Sequence, residues 1–133
     1  MAHVTIESTG SNYAHHISNG VHSLVADEPA RLGGQDAGMA PFDLYLASLA
    51  ACTAITLRMY AEKKGWELGE FNAELTSSRD EAGKLQVHRI LSATGALTGE
   101  QWERLLDVAT RTPVTKVMGE GATITSEHRA LKS

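Results

Sequence analysis

Cysteine is almost absent from this chain: Cys52 is the only one in 133 residues. An internal disulfide is therefore excluded, and any thiol redox chemistry must pass through a sulfenic acid, an external thiol or a neighbouring chain. Excess positive charge is missing too. With a formal net charge of -4 the protein gives no electrostatic reason to expect nucleic acid, and anionic membranes are equally poor partners. No uncharged apolar run reaches the length of a membrane span. The longest such run, between Asp43 and Arg58, holds fourteen residues, against about 20 for a spanning helix. The start, Met1-Ala-His-Val-Thr-Ile-Glu7, lacks the order of a secretion signal, and a single thiol suits a reducing compartment, so a cytoplasmic location is expected.

Metal-ligand spacing is lacking as well. His3, His15, His16, His22, His88 and His128 show neither helical-turn pairing nor companion cysteines, so no metal is expected. Gly33-Gly34 and Gly119-Glu-Gly121 follow no phosphate-loop spacing and read as turns. Asp27-Glu28 and Asp80-Glu81 read as adjacent turn carboxylates facing water.

What is present reads as one domain over residues 1–133, the economical reading for a chain of this length. Val4 and Ile6 alternate with polar residues, and two short runs, 13–18 and 21–26, flank Asn19-Gly20. That dipeptide suits a type I′ turn, so residues 1–26 are expected to form a three-stranded meander. Residues 27–40 carry three glycines and a proline and read as a functional loop. Pro41 suits a first helical position, and Gly65 after Lys63-Lys64 marks a stop, giving a central helix over 41–65. Apolar residues cover most of its circumference from Phe42 to Tyr60, more than one sheet can bury. A second subunit is the simplest cover.

Residues 66–133 read as a ββαβ part. Phe71, Ala73 and Leu75 alternate, Asp80 to Gly83 turns the chain, and Leu85, Val87, Ile90 and Leu91 return with a change of phase near Arg89 that suggests a bulge. Thr98 and Gln101 predict a capping box, with Trp102, Leu105, Leu106 and Ala109 on the buried face of a helix that ends before Pro113. Thr112-Pro113 caps a further short turn, and Ala122 to His128 is a last strand with Ile124 inward. The expected order is β-β-β-α-β-β-α-β, an α+β fold.

At about 100° per residue, Tyr45, Ser48, Leu49, Ile55, Thr56 and Met59 share the face of Cys52. Ser48, Cys52 and Thr56 form a weakly polar stripe, which back-bonding of the hydroxyls also explains. Two readings stay open, a small buried hydrophobe and a nucleophile. Cys52 stands eleven residues into the helix, about 17 Å from its positive end, where the dipole has faded. A cation to hold a thiolate must come from elsewhere, and Arg31 is the only arginine before the helix. Asp43 lies about 180° around the helix from Cys52.

Asp27-Glu-Pro29, Gly33-Gly34, the run from Ala40 through Pro41-Phe-Asp-Leu-Tyr-Leu-Ala-Ser-Leu-Ala-Ala-Cys52 to Ala61, and Lys64-Gly-Trp66 resemble the OsmC/Ohr family of osmotically inducible and organic hydroperoxide resistance proteins. The resemblance implies an intertwined homodimer whose long central helices are wrapped by antiparallel sheets, with a thiol site at the subunit boundary. It implies a peroxidatic cysteine, matched by Cys52, an arginine and a glutamate that organise the thiolate, and a resolving second cysteine. Here Thr112 stands where that second cysteine would fall, before Pro113-Val114. Phe42 stands at the glutamate position with Asp43 next to it, and the meander has no arginine.

The resemblance therefore implies a one-cysteine hydroperoxide reductase of the oxidative stress response. Cys52 is its nucleophile, Arg31 a candidate thiolate partner, Asp43 a candidate carboxylate, and Phe42, Tyr45, Ser48, Thr56 and Thr112 the expected pocket lining. It needs no cofactor, only an external thiol or dithiol. Two alternatives compete with it: a catalytically impaired dimer that binds an apolar small molecule, and a purely structural interaction protein.

Overall fold

A computed structural model describes residues 1–131. The chain divides into two compact units, Met1–Ala50 with Leu75–Arg89, and Ala51–Glu74 with Ile90 onward.

In the first unit, β1 (Thr5–Ser8), β2 (His15–Ser18) and β3 (Ser23–Ala26) form the expected antiparallel meander. The turn differs from expectation. Ser18 pairs with Ser23, so the β2–β3 loop is four residues long, and Asn19 does not take the positive φ that a type I′ turn requires. Its side chain does the work instead: Oδ1 accepts from the N–H groups of Val21 and His22 at 2.9 and 2.7 Å. Only Gly20 is left-handed there, with φ 94°.

The loop 27–40 packs tightly against β3. A Cβ on Gly38 would lie 1.9 Å from the Val25 carbonyl oxygen, and one on Gly34 would lie 2.0 Å from that of Glu28. Both positions therefore exclude any side chain. A single 3₁₀ turn, Ala30–Leu32, ends at Gly33 with φ 92°.

The central helix α1 (Pro41–Lys64) begins and ends where proline, lysines and glycine predicted. Gly65 has φ 73°, and the Trp66 N–H closes back on the Ala61 carbonyl at 2.8 Å, which satisfies the last turn. Leu49, Thr53, Leu57 and Ala61, spaced four apart, form its buried stripe. Phe42, Ile55 and Met59 remain 55, 56 and 63% exposed. The expectation of no membrane span rested on the fourteen-residue uncharged run. By length and composition alone the whole helix, with a mean hydropathy of 1.3 over its best window, is long and apolar enough to cross a bilayer. A core helix of a soluble protein has the same composition.

β4 (Phe71–Arg79) and β5 (Leu85–Ala93) pair as a hairpin, joined through Asp80 to Lys84. Burial alternates without interruption along β5, so Arg89 is half-buried and Ile90 is 57% exposed. The expected change of phase at Arg89 is absent: the pleat, not side-chain polarity, decides which face each residue takes.

In the second unit, α2 (Gly99–Ala109) starts at the capping box of Thr98 and Gln101. Leu105 and Ala109 are buried and Trp102 packs beside them, but Leu106 is 51% exposed and Val108 takes its place. They close on Leu57, Ala61 and Leu68, with Tyr60, Trp66, Phe71, Leu91 and Leu97 around them. Beyond Thr112 the chain forms an eight-residue helix, α3 (Pro113–Glu120), where only a short turn was expected. The expected last strand over Ala122 to His128 is not formed, and Ile124 is 86% exposed. Alternation alone makes no strand without an edge to pair with, and among the described residues none takes this segment.

Candidate functional site

The expected site residues fall into two groups, one in each unit. In the first, Arg31, Phe42 and Asp43 come together around a cavity of about 640 Å³, lined also by Leu32, Asp36 and Pro41. Asp43 has a structural duty there. Its Oδ2 accepts from the Ala40 N–H at 3.1 Å, the reach-back of a third helical residue to the cap of α1, where a carboxylate also suits the helix dipole. Phe42 meets Tyr45 edge-on, with ring centroids 6.2 Å apart. The Ser48 hydroxyl donates to the Tyr45 carbonyl at 2.7 Å, the back-bonding that a serine in a helix readily makes.

The wall of this cavity is held by a residue that sequence reasoning placed in water. Asp27 is 3% exposed. Its Oδ1 accepts from the Glu28 N–H at 2.8 Å, and its Oδ2 accepts from Gln35 and Ala37 at 3.2 and 3.1 Å. The Ala37 N–H above all holds this carboxyl below its ordinary value of 3.8; burial pushes the other way, while the Glu28 and Gln35 N–H groups and His15 add to the lowering. A carboxyl lowered by folding stabilises the fold above its unfolded pKa, and that contribution is lost as pH falls through the folded value. Hydrogen exchange at Gln35 and Ala37 is therefore expected to quicken as pH drops below about 4, after correction for intrinsic rates. In Asp27→Asn it is expected to be fast at neutral pH already. The signal available in the sequence was an aspartate heading a glycine-rich loop, whose free N–H groups need an acceptor.

A second residue escaped the sequence reading. Arg79, at the end of β4, places its guanidinium carbon 6.0 Å from the Phe42 ring centroid and donates to the Gly83 carbonyl at 3.0 Å. Thus a guanidinium meets the helix start through an aromatic face. No local pattern announces it, because its ring partner stands on α1, far away in sequence.

In the second unit, Cys52 is half-buried, placed between the buried and the exposed stripes of α1. Its Sγ lies 3.8 Å from Oγ1 of Thr56, one turn on. The thiol is thus neither sealed in hydrocarbon nor fully open, and it has a hydroxyl able to donate to it when ionised. Thr112 is 1% exposed, and its hydroxyl is committed to α3: it accepts from the Thr115 N–H and lies 2.6 Å from the Thr115 hydroxyl. Its oxygen is a helix cap with no redox capacity. No group of three or more metal-ligating side chains occurs among the described residues.

The fold has close relatives of known structure. An osmotic stress and detoxification response protein of Psychrobacter arcticus superposes with TM-score 0.76 at 19% identity, over 87% of each chain. An OsmC-like protein of Mycoplasma pneumoniae superposes with TM-score 0.76 at 16% identity, over 90% of this chain and 87% of that one. The organic hydroperoxide resistance protein OhrB of Bacillus subtilis is 26% identical with TM-score 0.63, over 89% of this chain and 90% of its own. No functionally curated sequence matches. The family model described as OsmC-like protein matches residues 33–127, which contain α1, Cys52, the β4–β5 hairpin and both later helices. The chain belongs to the OsmC-like protein family.

Proposed function

We propose that this protein reduces organic hydroperoxides by one-cysteine chemistry at Cys52. The observation that carries the proposal is a half-buried thiol one turn from a hydroxyl, on the central helix of a chain whose relatives include organic hydroperoxide resistance proteins. The thiolate attacks the terminal peroxide oxygen, the O–O bond breaks, and the alkoxide leaves as an alcohol after taking a proton. Sulfur is oxidised to the sulfenic acid and the peroxide is reduced.

With Thr112 at the resolving position and no other cysteine, the sulfenic acid returns to thiol through an external dithiol. One thiol of the dithiol displaces water to give a mixed disulfide, and its second thiol closes the disulfide and releases Cys52. A second copy of the chain covers the exposed face of α1 around Ile55 and Met59, which is too apolar to stand in water. Residues 122–128 then also have a foreign edge to pair with.

The test is consumption of tert-butyl hydroperoxide with excess dithiothreitol. Saturable turnover at a rate well above that of the dithiol alone supports the proposal. A rate equal to the dithiol background rejects it and leaves the apolar-ligand dimer.

A further inference from the structure

At the far end of α1, in the second unit, two cations gather on one phenol ring. Lys64 Nζ lies 5.7 Å from the Tyr60 ring centroid, and the Arg104 guanidinium carbon lies 5.9 Å from it. Arg104 is held firmly: its Nε donates to the Tyr60 hydroxyl at 2.8 Å, and Nη1 lies 3.6 Å from Asp107. Lys64 makes no ion pair among the described residues. Trp66 meets the Tyr60 ring edge-on, with centroids 5.7 Å apart. These four side chains, with Thr98, Glu100 and Gln101 from the start of α2, line a cavity of about 450 Å³, within the size range of small-molecule sites.

Two features of this cluster call for a ligand. The Arg104–Tyr60 hydrogen bond ties α2 to α1 and explains one cation as a structural staple. Lys64, in the last turn of α1, suits the helix dipole and is free to face a guest as well. Two positive groups, each within 6 Å of one ring centroid, repel one another, with Glu100 in the lining and Asp107 beside Arg104 opposing them. In the capping box the Thr98 hydroxyl and the Gln101 carbonyl oxygen only accept, so the cationic donors facing a guest are the Lys64 ammonium and the outer N–H groups of Arg104. Their companions in the wall are two aromatic side chains.

The geometry points to a binding site for a small planar carboxylate at Tyr60, Lys64, Trp66 and Arg104. The carboxylate bridges the ammonium and the guanidinium, and the planar body lies along Trp66 and the Tyr60 edge. This site is independent of the chemistry assigned to Cys52.

The test uses benzoate as probe, with benzamide as its uncharged counterpart and inorganic phosphate as an anion without a ring. Backbone amide shifts are followed by nuclear magnetic resonance at residues 60–66 and 98–104. Benzoate is expected to give saturable shifts at both segments, weakened by added salt, with benzamide inert and phosphate weaker. Lys64→Gln, which removes an exposed charge without touching the core, is expected to weaken benzoate about tenfold. Arg104→Lys keeps a cation and loses the fixed fork, and is expected to weaken it by a similar factor. Equal binding of benzamide, equal binding of phosphate, or benzoate affinity unchanged in Lys64→Gln overturns the proposal.

Discussion

Cys52→Ser is expected to lower hydroperoxide consumption by at least about a hundredfold, to the rate of the dithiol alone. The exchange replaces one atom at a half-buried position and leaves a group that Thr56 can still hydrogen-bond, so folding is expected to survive. What changes is nucleophilicity. A thiol is partly ionised near neutral pH and its anion is a strong soft nucleophile, whereas a serine hydroxyl stays protonated and needs a general base. A peroxide oxygen favours the soft partner. Circular dichroism and thermal unfolding that match wild type, combined with background turnover, separate loss of chemistry from loss of fold. Retention of more than half the wild-type rate with a folded variant would remove Cys52 from the mechanism.

The largest effect on stability is expected from Leu105→Ala, a loss of about 2–5 kcal/mol. Leu105 is fully buried, and its side chain closes on Leu57, Ala61, Leu68 and Ala109. Two of those four neighbours are alanines, with no rotamer to swing into the space. Of the larger side chains around them, Tyr60 and Trp66 are held to each other edge-on, which limits collapse into the space. Against a total stability of about 5–15 kcal/mol for a domain, this is a large share. Denaturant unfolding measures it, with a lowered midpoint and an unchanged slope as the expected signature. Leu106→Ala, one residue along and 51% exposed, is the control and is expected to change stability by less than about 1 kcal/mol.

That pair of leucines also shows where sequence reading succeeds and where it stops. The start of α2 was legible because the capping box is a local contact between Thr98 and Gln101. Its buried arc was legible only approximately: from Leu105, both Leu106 and Val108 lie near the stripe, and the partner surface decides between them. The ends of α1 were readable for the same local reason, since Pro41 and Gly65 act on their own backbone. The β2–β3 turn was placed correctly and typed wrongly, because the Asn19 side chain offered its neighbours an acceptor and spared the backbone a left-handed residue.

The candidate site was legible in its one thiol and less so in its surroundings. Cys52 stands out by being alone and by the motif around it. Arg31, Phe42 and Asp43 line one cavity, where Asp43 serves the helix start, and Ser48 bonds its own backbone. Asp27 was missed because its partners are backbone amides of a loop, which no residue type announces, and Arg79 because its ring partner Phe42 stands on α1, far away in sequence. The tail beyond Gly121 shows the converse failure. Its alternation is genuine, but a strand is a property of two segments.

The central claim is that the sulfur of Cys52 takes the oxygen. The most direct measurement is intact-mass analysis of reduced protein treated with one equivalent of tert-butyl hydroperoxide, with a dimedone-type trap and peptide mapping. The account predicts a gain of about 16 Da, or the trapped adduct, confined to Cys52, with one alcohol released per thiol lost. Peroxide left unconsumed, or oxygen found on the methionines while Cys52 stays reduced, would contradict it.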